Sequence, residues 1–192
     1  MDEENKKKAY LEKIVQLVVF RLDREEYAVP VRDVQTVINM VNITPIPNSL
    51  NFMAGLINWR GKVIPVIDLE KRFNLHRDNV DIQSQHIMVI DVLDSQFGVI
   101  VDEVVEVLRI SSEIIQDTPE TINSKIGTEY IQGVIIIDEE EHEDDKSEVK
   151  DDNAEANVTK NVNSVKQRIV LILDLKNAFT EKEKQKIGQA QN

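Results

Sequence analysis

The chain has no cysteine among its 192 residues, which excludes disulfides, thiolate nucleophiles and thiolate metal sites. Histidine is nearly as scarce: His76, His86 and His142 stand apart, none at ligand or dyad spacing with another. Aromatic residues make up only 5%, with a single tryptophan, too few for the stacked aromatic face of a single-strand nucleic-acid barrel. Basic charge is in deficit. Lys and Arg total 23 against 35 Asp and Glu, a formal charge of −12, which argues against binding a phosphate backbone. No stretch approaches the roughly 20 apolar residues that span a bilayer. The apolar run behind the lysine-rich N-terminus is broken by Gln16 and Arg21 and has no small-residue cleavage site, so a signal peptide is not expected. Gly61-Lys62 has no glycine five residues earlier and so fails the phosphate-loop pattern. These absences predict a non-catalytic cytoplasmic protein with no cofactor and no metal.

What is present is a repeat. Tyr27 to Ile38 aligns without a gap on Phe97 to Leu108, with four valines coincident and the aromatic and small positions kept in type. Phe52-Met53-Ala54-Gly55-Leu56-Ile57 then matches Tyr130-Ile131-Gln132-Gly133-Val134-Ile135. Ile64 to Leu69, followed by Phe73, matches Val170 to Leu175, followed by Phe179. The offset rises from 70 to 78 and then to 106 along the chain, so the second copy carries 28 extra residues where the first has the turn Asn58-Trp59-Arg60-Gly61-Lys62.

That insertion is different material. Residues 138–152 hold ten acids and two lysines, leaving only −4 of the net charge to the rest of the chain. Such a segment buries too little apolar surface to offset backbone ordering of about 1–2 kcal/mol per residue, and 138–166 is expected to be a disordered acidic insert.

Around it the strands are short and closely spaced, with no long helix between them. Leu17–Leu22 and Tyr27–Val31 read as a hairpin, Val34–Met40 as a further strand, and Phe52–Ile57 with Val63–Ile67 as a hairpin closed at Arg60-Gly61, where Gly61 supplies a positive φ. Asp68, Asp91 and Asp174 each end an apolar run. They could suggest paired carboxylates, but Asp68 and Asp174 are better read as N-caps of short helices. Thr180 and Glu183 form a capping-box pattern. The expected fold is all-β: two small five-stranded barrels with a short C-terminal helix. The expected division is a lead-in at 1–13, a first barrel at 14–80, a second at 81–180 carrying the insert, and a helical tail at 181–192. The C-terminal strand could pack on either barrel.

The Asn58–Lys62 turn combines a large aromatic, a guanidinium and a flexible glycine at one tip, and Trp and Arg are enriched at binding hot spots. Trp59 could equally turn into the core. Val34, Thr36 and Ile38 lie on one strand face, a groove wall or simply core.

Asn58-Trp59-Arg60-Gly61-Lys62-Val63-Ile64-Pro65-Val66-Ile67-Asp68-Leu69 resembles the central signature of the CheW family, the coupling proteins of chemotaxis. Ile43 to Asn48, Phe52 to Ile57, the hairpin from Phe20 to Val31 and Tyr130 to Gly133 fit the same family in order and spacing. The resemblance implies a pair of SH3-like barrels and a non-catalytic adaptor. Its partners would be the regulatory domain of a chemotaxis histidine kinase and the cytoplasmic tip of chemoreceptors, so the protein would associate with membrane receptor complexes. It assigns partner contact to Val34, Gly55, Asn58, Arg60 and Gly61, and by position in the same elements to Thr36 and Trp59. Two positions depart from the family pattern: Trp59 stands where leucine is usual, and Thr36 where a glutamate often pairs with the signature arginine. Alternatives are a regulatory domain detached from a kinase, or a barrel that binds a ligand or oligonucleotide.

Overall fold

The computed structural model describes residues 13–75, 84–92, 95–118, 124–139 and 166–189. Its strands are β1 Ile14–Leu22, β2 Glu25–Pro30, β3 Val34–Asn39, β4 Met53–Trp59, β5 Lys62–Asp68, β6 His86–Val92, β7 Ser95–Val101, β8 Glu103–Ser111, β9 Ile131–Glu139 and β10 Lys166–Leu173. Among the described residues the α-helices are α1 Leu69–Phe73 and α2 Glu181–Gln189. The strands form two five-stranded sheets, β8-β1-β2-β10-β9 and β3-β6-β7-β5-β4, here called barrels A and B.

The apolar runs are continuous because the central strands are buried on both faces. Along β1, Leu17 and Val19 enter the interior of barrel A with Ala28, Ile135, Val170 and Ile172. The alternate residues Val18, Phe20 and Leu22 enter a second core shared with barrel B. Barrel B does the same: Ile87 and Val89 face its own interior, Met88 and Ile90 the shared core. Period-2 alternation thus sorts side chains between two apolar compartments rather than between core and water.

The repeat is real in three dimensions, but the barrels are not the two halves of the chain. Strands β1 to β5 correspond in order to β6, β7, β8, β9 and β10, and both sheets have the same order once equivalents are exchanged. Barrel A takes the first hairpin of copy one and the last three strands of copy two; barrel B takes the reverse. The expected split at residue 80 therefore does not describe the sheets. The chain crosses between barrels twice, from β2 to β3 through the short 3-10 turn Val31–Asp33 and back from β7 to β8 at Asp102. The C-terminal strand β10 belongs to barrel A, between β2 and β9. Its pairing with β2 is parallel, as is its counterpart β5 with β7, whereas the other strand pairs are antiparallel.

Small features repeat as well. Leu56 exchanges two backbone hydrogen bonds with Thr44 (2.8 and 2.9 Å), and its equivalent Val134 does so with Gln116 (both 2.9 Å). Phe52 stacks on Phe179 at 5.9 Å and Tyr130 on Phe73 at 5.4 Å, two contacts related by the same exchange. Asp68 caps α1 by accepting from the Lys71 N–H. Asp174 accepts from the N–H groups of Lys176 and Asn177, closing turns rather than the helix expected there. The helix begins only at Glu181, behind the reciprocal Thr180–Glu183 capping box. It is not a free tail, since Ile187 is buried in the shared core. Of the acidic insert, Asp138, Glu139 and Lys166 belong to β9 and β10. Residues 140–165, like 1–12 of the lead-in, lie outside the described residues, and so do His76 and His142.

Candidate docking site

Strands β4 and β5 pair through Asn58↔Val63 and Trp59↔Lys62, leaving a two-residue turn at Arg60 and Gly61. Both residues have positive φ, 50° and 81°. That is the primed geometry matching the twist of paired strands, and it suits glycine far better than arginine. A non-glycine residue in this region costs on the order of 1–2 kcal/mol. Two local interactions offset the strain. The Asn58 Oδ1 accepts the Gly61 N–H at 3.0 Å. The Arg60 guanidinium lies over the Trp59 ring, 4.8 Å from its centroid. Trp59 is itself half-buried against the interior cluster of barrel B that contains Ile57, Ile64 and Val66. It therefore both packs on the core and carries the arginine. Arg60, Gly61 and Lys62 are exposed, and among the described residues no carboxylate is ion-paired with Arg60 or Lys62.

The other expected contacts lie outside this turn. Gly55 is buried, with φ +147°, beneath the strand-like segment at Thr44. A Cβ there would lie 2.2 Å from the Thr44 carbonyl oxygen. Glycine is demanded by a backbone crossing, so Gly55 acts as a packing residue and presents no side chain to a partner. Val34 and Thr36 lie on β3, at the opposite end of the sheet order from β4. Val34 is half-buried against the shared core, and the Thr36 hydroxyl lies 3.5 Å from the Val37 carbonyl, too far for a good hydrogen bond. No hydrogen bond or ion pair among the described residues links Thr36 to Arg60.

The position equivalent to Thr36 in the other copy is Glu106, and its partner is local. Arg168 on β10 pairs with Glu106 at 2.6 Å and with Glu26, while Arg21 bridges Glu26 at 3.1 Å and Glu103 at 2.5 Å. Burial alone would lower the Arg168 pKa, but hydrogen bonds to Glu26 and Glu106 leave it raised. Barrel A thus keeps a carboxylate–guanidinium network across β8, β1, β2 and β10, which the described part of barrel B does not reproduce at Arg60.

Two features escape a reading by motif. Arg72 on α1 lies 5.2, 5.5 and 5.7 Å from the ring centres of Phe52, Tyr130 and Phe179. Its Nε donates to the Ala178 carbonyl at 2.8 Å, so one side chain ties α1 to the C-terminal segment across the repeat axis. Nothing distinguishes it in sequence from the neighbouring Lys71. The second is a groove of about 710 Å³ at one end of barrel A, lined by Leu17, Val31, Ile115 and Ile172 with the exposed Arg32 and Arg109. Its lining comes from five separate segments, which no linear motif can report. Among the described residues no group of three or more His, Asp or Glu could hold a metal ion.

The described residues thus form an all-β pair of barrels on a shared core, with an exposed turn on one and a groove on the other. The CheW-like domain model matches residues 16–183, nearly the whole chain. The protein belongs to the CheW-like domain family. It is 33% identical over 123 residues to the chemotaxis protein CheW of Treponema pallidum (strain Nichols), covering 62% of this chain and 72% of that protein. With the chemotaxis protein CheW of Thermotoga maritima it shares 34% over 112 residues, 58% of this chain and 72% of that one. The crystal structure of scaffolding protein TtCheW from Thermoanaerobacter tengcongensis superposes with a TM-score of 0.64 at 30% identity, over 88% of this chain and 90% of its own.

Proposed function

We propose that this chain is a non-catalytic adaptor of chemotaxis that joins the cytoplasmic tip of chemoreceptors to the regulatory domain of a chemotaxis histidine kinase. The observation that carries this reading is the β4–β5 tip: a strained turn, locked by Asn58, that holds an unneutralised arginine on an aromatic platform. A guanidinium fixed in place loses little side-chain entropy on binding, which is what a docking contact requires. The groove of barrel A supplies a second face. Its apolar floor between two exposed arginines suits an amphipathic helix with acidic flanks, the form a helical receptor tip would present. The adaptor would work in the cytoplasm, held at receptor complexes by these contacts; no described helix is long and apolar enough to cross a membrane.

The chemistry asked of such a protein is association alone. By presenting two faces on one rigid body it lowers the free energy of bringing two partners together, and a signal passes as a shift in the relative stability of their arrangements. The test is Arg60→Glu, assayed by titration calorimetry against kinase regulatory-domain and receptor-tip fragments. Reversing the charge is expected to cost about 1–3 kcal/mol of binding with at least one fragment. The variant should still fold, losing only the exposed cation–π contact with Trp59, about 0.5–1 kcal/mol of stability. Normal binding of both fragments by a folded variant would remove the tip from the docking surface.

A further inference from the structure

We propose that Trp59 is a positioning residue: it holds the Arg60 guanidinium face-on so that its N–H edge is offered to a carboxylate carried by the docking partner. This rests on the reading of the β4–β5 tip as a docking contact and adds to it the chemistry of the partner surface. Four observations lead there. The guanidinium carbon lies over the indole, 4.8 Å from its centroid, and among the described residues the Arg60 N–H groups donate to no protein acceptor. The indole is anchored from below by the barrel B interior cluster, so the platform is fixed. The turn is fixed too, with Arg60 at φ 50° and the Asn58 Oδ1 on the Gly61 N–H. Finally, Arg60 and Lys62 stand exposed at one tip with no described carboxylate paired to either, on a chain whose formal charge is −12.

A local basic point on an acidic protein is complementary to an acidic patch, and a stacked arginine is a planar fork fitted to a carboxylate rather than a diffuse charge. Elsewhere the same protein pairs its half-buried arginines internally: Arg168 with Glu26 and Glu106, and Arg21 with Glu26 and Glu103. Arg60 is held instead by an uncharged surface, which leaves it open to a carboxylate from a partner.

The experiment is a double-mutant cycle on the intact protein with the kinase and receptor fragments, using Trp59→Leu, Arg60→Ala and both together. Trp59→Leu should weaken binding about 3- to 10-fold, as expected for losing a cation–π contact and the order it imposes. In the Arg60→Ala background the same change should cost less than about 2-fold, because only the arginine depended on the platform. Trp59→Phe should retain most of the affinity, whereas Arg60→Lys should lose nearly as much as Arg60→Ala, since an ammonium lacks the planar fork. Because Trp59 is the only tryptophan, its fluorescence should change on Arg60→Ala in the free protein and again when partner binds wild type. A partner Asp or Glu changed to Lys should be rescued by Arg60→Glu. Equal losses from Trp59→Leu in both backgrounds would overturn the positioning role. Failure of every acidic partner substitution to couple with Arg60 would overturn the carboxylate. Should Trp59→Leu not fold, Trp59→Phe and Arg60→Lys decide: the proposal falls if Arg60→Lys binds as wild type. If Arg60→Ala binds as wild type, it is the docking reading itself that fails, a different outcome from additivity within a cycle in which Arg60 matters.

Discussion

Replacing Gly55 by alanine separates a packing role from a contact role at a residue of the family signature. The added methyl would stand 2.2 Å from the Thr44 carbonyl oxygen and 2.7 Å from its carbon, with Ile43 Cγ2 at 2.8 Å. The nearest obstacle is backbone, so no side-chain rotation relieves it. The φ of +147° is itself foreign to alanine, a strain of about 1–3 kcal/mol. Moving the Thr44 segment aside would break its two hydrogen bonds to Leu56, each contributing about 0.5–1.5 kcal/mol. The total loss is about 2–6 kcal/mol, or about 4–24 °C in Tm for a chain of this size.

The repeat supplies an internal control. Gly133 occupies the equivalent place, but its φ is not positive and its closest obstacle is the Ile115 Cγ2 at 2.7 Å, ahead of the Gln116 carbonyl at 3.1 Å. A side-chain tip can shift, so Gly133→Ala should cost about 1–3 kcal/mol, the range of ordinary overpacking. Urea unfolding followed by circular dichroism would measure both. Well below its Tm, Gly55→Ala should bind partner fragments like wild type. The reasoning is refuted if Gly55→Ala is within about 1 kcal/mol of wild type, if it costs less than Gly133→Ala, or if it loses binding while fully folded.

Other expectations follow from single features. Arg72→Ala removes three ring contacts and the hydrogen bond to the Ala178 carbonyl, and should cost about 2–4 kcal/mol in urea while the fluorescence of Trp59 in the folded protein stays unchanged. Joining Glu139 to Lys166 by Asn-Gly in place of residues 140–165 should leave the fold intact and raise stability by up to about 2 kcal/mol, from shorter loop closure. A loss of partner affinity in that variant, with circular dichroism unchanged, would show the segment to be a contact. Burial, followed by the hydrogen bond to Glu25, raises the Tyr27 phenol above its ordinary value of about 10. The folded state then keeps a proton that the unfolded chain releases, so this stability is full below about pH 10 and falls as pH climbs further; Tyr27→Phe should flatten that alkaline fall in urea midpoints, and parallel declines would exclude the phenol as its cause.

The repeat was legible because equivalent strands face equivalent surroundings: Tyr27 and Phe97, or Ile67 and Leu173, enter the same shared core. The hairpin tip was legible because Gly61 marks a turn wherever the chain must reverse in two residues. Which copy closes onto which was not. Alignment says that β1 is equivalent to β6, yet both choices of partner bury the same residue types, so the pattern does not report that β3 closes onto β6 and β8 onto β1. The parallel pairings of β2 with β10 and of β5 with β7 escaped for the same reason. Gly55 shares its motif with the candidate contact residues, and nothing in that motif reports the close approach of Thr44, which bridges Leu56. Arg72 escaped because its three rings come from three distant segments.

The exchange of hairpins bears directly on the work of an adaptor. Two barrels joined only by a linker and a surface patch would move against one another, and fixing them at each binding event would cost affinity. Here the first hairpin of copy one is held in barrel A by ladders to β8 and β10, while β3, β4 and β5 of the same copy are held in barrel B by ladders to β6 and β7. The chain passes between the barrels only at Val31–Asp33 and at Asp102, but the surface along which they would part is itself a core containing Phe20, Tyr27, Phe52, Phe97 and Phe179. Arg72 and the paired stacks Phe52–Phe179 and Tyr130–Phe73 fasten the same axis. The Arg60 tip on barrel B and the apolar groove on barrel A are therefore two faces of one cooperative body. Their separation is set by folding rather than by either partner, so neither binding event has to fix it.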